Sequence, residues 1–121
     1  MTIKKQILVV DDELDICLVL KIVLENNGFI VDYYYNPIIA LNEFKSNFYD
    51  LIILDIQMPD MNGFQLYKEI RNKDIKSKIC FVTASETISD IEYKFSSMYT
   101  IIKKPIENND LIKIVNDVLN K

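Results

Sequence analysis

Five residues able to do chemistry stand at the ends of short apolar runs in this chain. Asp11 and Asp12 follow Ile7-Leu8-Val9-Val10, and Asp55 follows Leu51-Ile52-Ile53-Leu54. Thr83 follows Lys78–Val82, and Lys104 follows Thr100–Lys103. Continuous apolar, β-branched runs of this length suit strands buried on both faces of a parallel sheet. All strands of such a sheet end at one edge, so three acids, a hydroxyl and a lysine would converge there. Crowded carboxylates repel and raise one another's pKa values unless a cation neutralises them. With oxygen donors only and no histidine in the chain, the ion expected is hard, Mg²⁺ before Ca²⁺, with Mn²⁺ as a substitute. A carboxylate beside such an ion, a lysine and a hydroxyl is suited to aspartyl-phosphate formation, where the protein mainly positions groups and neutralises charge. Asp55 is the expected nucleophile.

The elements that would position these residues alternate along the chain. Strands are expected over Ile7–Val10, Phe29–Tyr35, Leu51–Leu54, Lys78–Val82 and Thr100–Lys103. Helices are expected from Leu14 to about Asn27, closed by Gly28; from Pro37 to about Asn47; from Gly63 to Asn72; from Glu86 to about Phe95; and from Asn108 to about Asn120. Five strands alternating with five helices through short loops imply right-handed crossovers and a doubly wound α/β fold with a parallel five-stranded sheet. No repeat, linker or second domain is visible, so residues 1–121 read as one domain.

Composition narrows the function classes. Half of the residues are hydrophobic and a quarter charged, the balance of a globular domain. A net charge of −4 and a pI near 4.8 argue against a nucleic-acid backbone as ligand. No apolar run approaches the length of a membrane span and the first residues lead straight into a strand, so a cytoplasmic location is expected. The absence of histidine removes His-based triads and most zinc sites. Cys17 and Cys80 sit inside apolar runs, where a thiol packs as a small hydrophobe.

The segments VVDDE (9–13), LDIQMPDMNG (54–63), VTAS (82–85) and KKP (103–105) together resemble the receiver domain of two-component response regulators, the CheY-like family. The resemblance covers the whole chain and implies the strand order 2-1-3-4-5. It implies that Asp55 accepts a phosphoryl group from a histidine kinase, a phosphotransfer protein or a small phosphodonor. Asp12 and Asp55 would ligate Mg²⁺ through side chains and Gln57 through its backbone carbonyl, with Asp11 acting largely through water. Lys104 would pair with Asp55 and then with the phosphoryl oxygens, Thr83 would carry its hydroxyl onto that group, and the Lys104–Pro105 peptide would be cis. A face of the fourth helix, fifth strand and fifth helix, with Ile88, Ile91, Tyr99, Ile101 and Lys103, would be the output surface, contacting a downstream target or a detached output domain. The protein would be a monomer or a phosphorylation-dependent dimer, with no turnover activity beyond its own phosphorylation and dephosphorylation. The chain departs from the family at Ile101, where an aromatic switch residue is usual. Tyr99 lies two residues earlier on the same strand face.

Each residue also has an ordinary reading. Asp11, Asp12 and Glu13 could cap the first helix, Asp55 start a turn, Thr83 cap a helix and Lys104 be solvated. The constellation outweighs these single readings. Gln57 and Ser85, two residues after Asp55 and Thr83, are expected to tune phosphoryl lifetime. Leu14 and Leu18 fall off the expected buried stripe of the first helix and suit docking of a kinase helix. Three rivals stand beside this reading: a phosphorylation-independent adaptor, an aspartate-nucleophile phosphohydrolase and a flavodoxin-like FMN binder. Gln57 occupies the place where the phosphohydrolase would need an acid, and the acids after the first strand would repel a flavin phosphate.

Overall fold

A computed structural model of the protein describes residues 3–84 and 99–120. The strands are β1 (Gln6–Val10), β2 (Ile30–Tyr34), β3 (Leu51–Asp55), β4 (Lys78–Thr83) and β5 (Thr100–Lys103). The described helices are α1 (Leu14–Asn26), α2 (Pro37–Asn42), α3 (Gly63–Arg71) and α4 (Asn108–Leu119). The five strands form one sheet in the order β2-β1-β3-β4-β5, all neighbours parallel, the architecture of the CheY-like, flavodoxin-like fold. The expected helix over Glu86–Phe95 lies outside the described residues, as do Ser85, Ile88 and Ile91.

Strand alternation divides the interior in two. Ile7 and Val9, Leu51 and Ile53, Cys80 and Val82, and Ile102 face α1 and α4, where they meet Cys17, Leu20, Leu24, Leu111, Val115 and Val118. Leu8 and Val10, Ile52 and Leu54, and Ile79 and Phe81 face the other side, with Ala40, Leu66 and Ile70 of α2 and α3. The central strands are buried on both faces, which is why they read as unbroken apolar runs.

The chain ends several helices where its chemistry dictates. At the end of α1 the amide of Phe29 donates to Leu24 O and that of Gly28 to Glu25 O, with Gly28 at φ +91°, a left-handed turn open to glycine at no steric cost. Asn36 caps α2 by accepting from the amides of Ile38 and Ile39, and Asn62 and Gln65 form a reciprocal capping box on α3. α2 is shorter than the sequence pattern suggests, stopping at Asn42 rather than near Asn47. The following residues leave the helix to bury Tyr49 beneath a half-buried Phe44: the rings lie 5.9 Å apart, and the Tyr49 hydroxyl donates to Asp32 at 2.7 Å. Tertiary burial of these aromatics overrides a helical pattern of only a few more residues.

Candidate functional site

The acids and the lysine meet at the C-terminal edge of the sheet. Asp55 is the last residue of β3 and is buried. Asp11 and Lys104 come just past β1 and β5, in step with the residues that face α1 and α4. This shared phase brings three charged groups from remote parts of the chain to one side of the edge. Thr83 continues the opposite phase, that of Ile79 and Phe81, and is also buried. Carboxylate oxygens of Asp11, Asp12 and Asp55 lie within 4.8 Å of one another. Lys104 Nζ stands 2.8 Å from Asp11 Oδ2 and 3.6 Å from Asp55 Oδ1.

Smaller contacts fix these groups. The Asp11 amide donates to Tyr34 O at 3.2 Å, and Asp11 Oδ1 accepts from the Glu13 amide at 2.9 Å. The thiol of Cys17, on the first turns of α1, donates to Asp11 O at 3.2 Å. Its own burial first, and the charge of Asp11 second, push this thiol up to about 11, so it stays protonated at neutral pH. The Ile56 amide donates to Val82 O, the Gly63 amide to Ile56 O at 2.8 Å, and the Lys104 amide to Thr83 O at 2.7 Å. These bonds lock the loop after β3, the start of α3 and the end of β5 to the same edge. The Lys104–Pro105 peptide is cis.

The electrostatics follow from this packing. Burial above all, then the charge of Asp11 and a hydrogen bond with the Asp12 side chain, push Asp55 up to about 7. Lys104 and the backbone amide of Gln57 oppose the shift without cancelling it. Burial of Lys104 works against its charge, but its hydrogen bond and attraction to Asp11, with Asp55 and Glu13 behind, outweigh that and raise its pKa. The edge thus holds more negative charge than one lysine balances, and a divalent cation among the three carboxylates would relieve it. The oxygen-only donor set matches a hard ion of the Mg²⁺ type.

Gln57 is exposed beside Asp55 and reaches it through its backbone amide, a contact the sequence pattern could not foresee. Leu14 and Leu18 are exposed on α1, and so are Val19 and Ile22. Lys103 is exposed, whereas Tyr99 is buried, edge-on to Phe81 with ring centroids 4.7 Å apart and near Phe64 and Tyr67. Ile101 pairs with Phe81 and Thr83 with Lys103. Tyr99 therefore sits four residues upstream of the strand position opposite Thr83, about 13 Å along the strand. Phe81, two residues before Thr83 on the same face, stands between them. Among the described residues no helix is long and apolar enough to cross a membrane.

A doubly wound sheet with an acid trio and a lysine at its switch edge defines a class of α/β domain that handles charged groups on strand ends. Residues 7–116 match the response regulator receiver domain, and the chain belongs to that family of two-component signalling domains. Response regulator ArlR of Staphylococcus aureus is 28% identical over 116 residues, covering 96% of this chain and 53% of that protein. The chain thus spans about half the length of the curated relatives it matches. Among solved structures, response regulator TrrA of Thermotoga maritima, in complex with Mg²⁺ and BeF, is 37% identical with a TM-score of 0.81, covering 94% of this chain and 98% of that one. Chemotaxis protein CheY4 of Vibrio cholerae is 26% identical with a TM-score of 0.84, covering 96% and 99%. Receiver domains are signalling switches rather than turnover enzymes.

Proposed function

We propose that Asp55 is the phosphoacceptor of a two-component phosphorelay, taking its phosphoryl group from a phosphohistidine of a kinase or phosphotransfer protein, or from a small phosphodonor. The observation that carries this reading is the buried Asp55 carboxylate, within 4.8 Å of Asp11 and Asp12 and 3.6 Å from Lys104 Nζ. An Asp55 oxygen attacks phosphorus as the donor's N–P bond breaks, leaving a mixed carboxylic–phosphoric anhydride on the protein and the electron pair on the departing imidazole nitrogen. Asp12 and Asp55 side chains and the Gln57 carbonyl would hold Mg²⁺, with Asp11 behind water; the bound ion supplies positive charge to the transferred oxygens. Asp11 and Asp12 would repel the incoming phosphoryl group unless a cation neutralises them. Lys104 moves from Asp11 toward the phosphoryl oxygens, and Thr83 turns its hydroxyl to the same group. Gln57 and Ser85, which follow Asp55 and Thr83 by two residues in the sequence, tune how long the anhydride lasts.

The added charge shifts the balance between two conformations, and β5 and α4 read the change out to a downstream target or output domain. The setting is the cytoplasm, where kinases and phosphotransfer proteins operate. Support comes from family membership and from the TrrA relative, whose structure contains Mg²⁺ and BeF.

Incubation with Mg²⁺ and acetyl phosphate, followed by intact mass, tests this directly. One phosphoryl adduct is expected on the wild type and none on Asp55→Asn; an unmodified wild type under every donor would refute the assignment. Leu14 and Leu18 are exposed two and six residues after Asp12, where a donor must approach Asp55. Leu14→Ala/Leu18→Ala is expected to slow transfer from a cognate phosphokinase roughly tenfold, the effect of losing two apolar anchors. Acetyl phosphate should label the same variant at the wild-type rate. Equal kinase transfer to variant and wild type would remove α1 from the docking surface.

A further inference from the structure

Cys17 lies beneath the acidic edge. It is fully buried among the residues that face α1 and α4. Its Sγ is 3.2 Å from Asp11 O and 3.7 Å from Tyr34 O, the carbonyl that also accepts the Asp11 amide. One thiol thus spans three elements: α1, the segment leaving β1 and the end of β2. The Glu13 N-cap makes no side-chain cap bond to α1, so the turn between β1 and the helix lacks the brace that usually fixes such a junction. Asp11 Oδ1 and Oδ2 are engaged by the Glu13 amide and Lys104, which orient the carboxylate, while the thiol holds the peptide that carries it.

We propose that Cys17 is a positioning residue for the acidic edge, its thiol holding the Asp11–Asp12 peptide at the spacing from Asp55 that a divalent cation requires. The proposal rests on the reading of this edge as the Mg²⁺ and phosphoacceptor site. The donor, and not only the volume, of the side chain carries the effect. A buried Asp11 carbonyl that loses its donor drifts toward another partner, and the adjoining Asp12 carboxylate moves with it.

Two substitutions separate donor from volume. Cys17→Val fills the space without donating, and Cys17→Ser donates with slightly less volume. Isothermal titration with Mg²⁺, well below each variant's unfolding transition, is expected to show affinity lowered five- to tenfold in Cys17→Val, near the low end for loss of a supporting partner of a metal ligand. Cys17→Ser should stay within about twofold of the wild type. In metal-free protein, amide exchange of Glu13, whose N–H is held by Asp11 Oδ1, should quicken in Cys17→Val and not in Cys17→Ser. Wild-type affinity in Cys17→Val, or equal weakening in both variants, would overturn the proposal. A wild type that takes no Mg²⁺ would instead sink the reading of the site, and Glu13 exchange would still decide the role of Cys17.

Discussion

Gly63→Ala is expected to cost the protein about 3 kcal/mol of stability, at the upper end for forcing extra volume into a packed site. A Cβ built on Gly63 falls inside van der Waals contact of the Asp55 carbonyl oxygen and 3.0 Å from both Asp55 C and Ile56 Cα. All three are backbone atoms at the end of the central strand, so no flexible side chain can move aside. The Gly63 amide donates to Ile56 O at 2.8 Å, which clamps the same two segments together. Alanine is the better helix former by up to about 1 kcal/mol, and the start of α3 already has its capping box, so this gain offsets only part of the clash. The urea midpoint should drop with the slope unchanged. A variant as stable as the wild type would show that α3 can lift from β3 without strain. The consequence for function is local: any lift of α3 displaces the backbone of Asp55 and Gln57, so phosphorylation by acetyl phosphate should slow even where the variant stays folded.

Asp55→Asn is expected to stabilise the metal-free protein by roughly 2 kcal/mol at pH 8, about 8 °C in Tm for a domain of this size. The carboxyl of Asp55 is pushed from its ordinary 3.8 up to about 7, first by burial and then by the charge of Asp11. Because the folded protein holds this proton more tightly than the unfolded chain, ionising Asp55 opposes folding. Its contribution is neutral below about pH 4, falls as pH rises between about 4 and 7, and levels off above that. The full cost of such a shift is about 4 kcal/mol; desolvation of the asparagine amide and the loss of a charge near Lys104 offset about half of it. The difference between variant and wild type should therefore be small at pH 4 and largest at pH 8. Saturating Mg²⁺ should shrink it, since binding to the carboxylate trio stabilises the wild type by mass action. A difference independent of pH would show that burial of the Asp55 charge is not the cause.

Much of this was legible in the chain. Four apolar runs ending in Asp11, Asp55, Thr83 and Lys104 signalled both the parallel sheet and its working edge, because a strand buried on two faces leaves no other way to write its sequence. Gly28 and Pro37 marked helix ends correctly, since glycine takes a left-handed φ at no steric cost and proline holds its φ at a helical value. The end of α2 was not legible: it depends on Phe44 and Tyr49 finding each other and Asp32, which local periodicity does not record. Nor was the setting of Tyr99, whose ring is placed by Phe81, Phe64 and Tyr67 from two other elements.

The sequence by itself determined which groups the edge would contain and in what order the strands deliver them. Only the tertiary structure decided how they interact: that Lys104 sits nearer Asp11, 93 residues away, than Asp55, and that the Asp55 charge is the costly one. It also decided that Gly63 must lack a side chain and that Cys17 reaches the Asp11 carbonyl. The reason is physical. Residue type and strand phase are written locally, whereas burial, dielectric and distance between groups arise only when remote segments pack against each other.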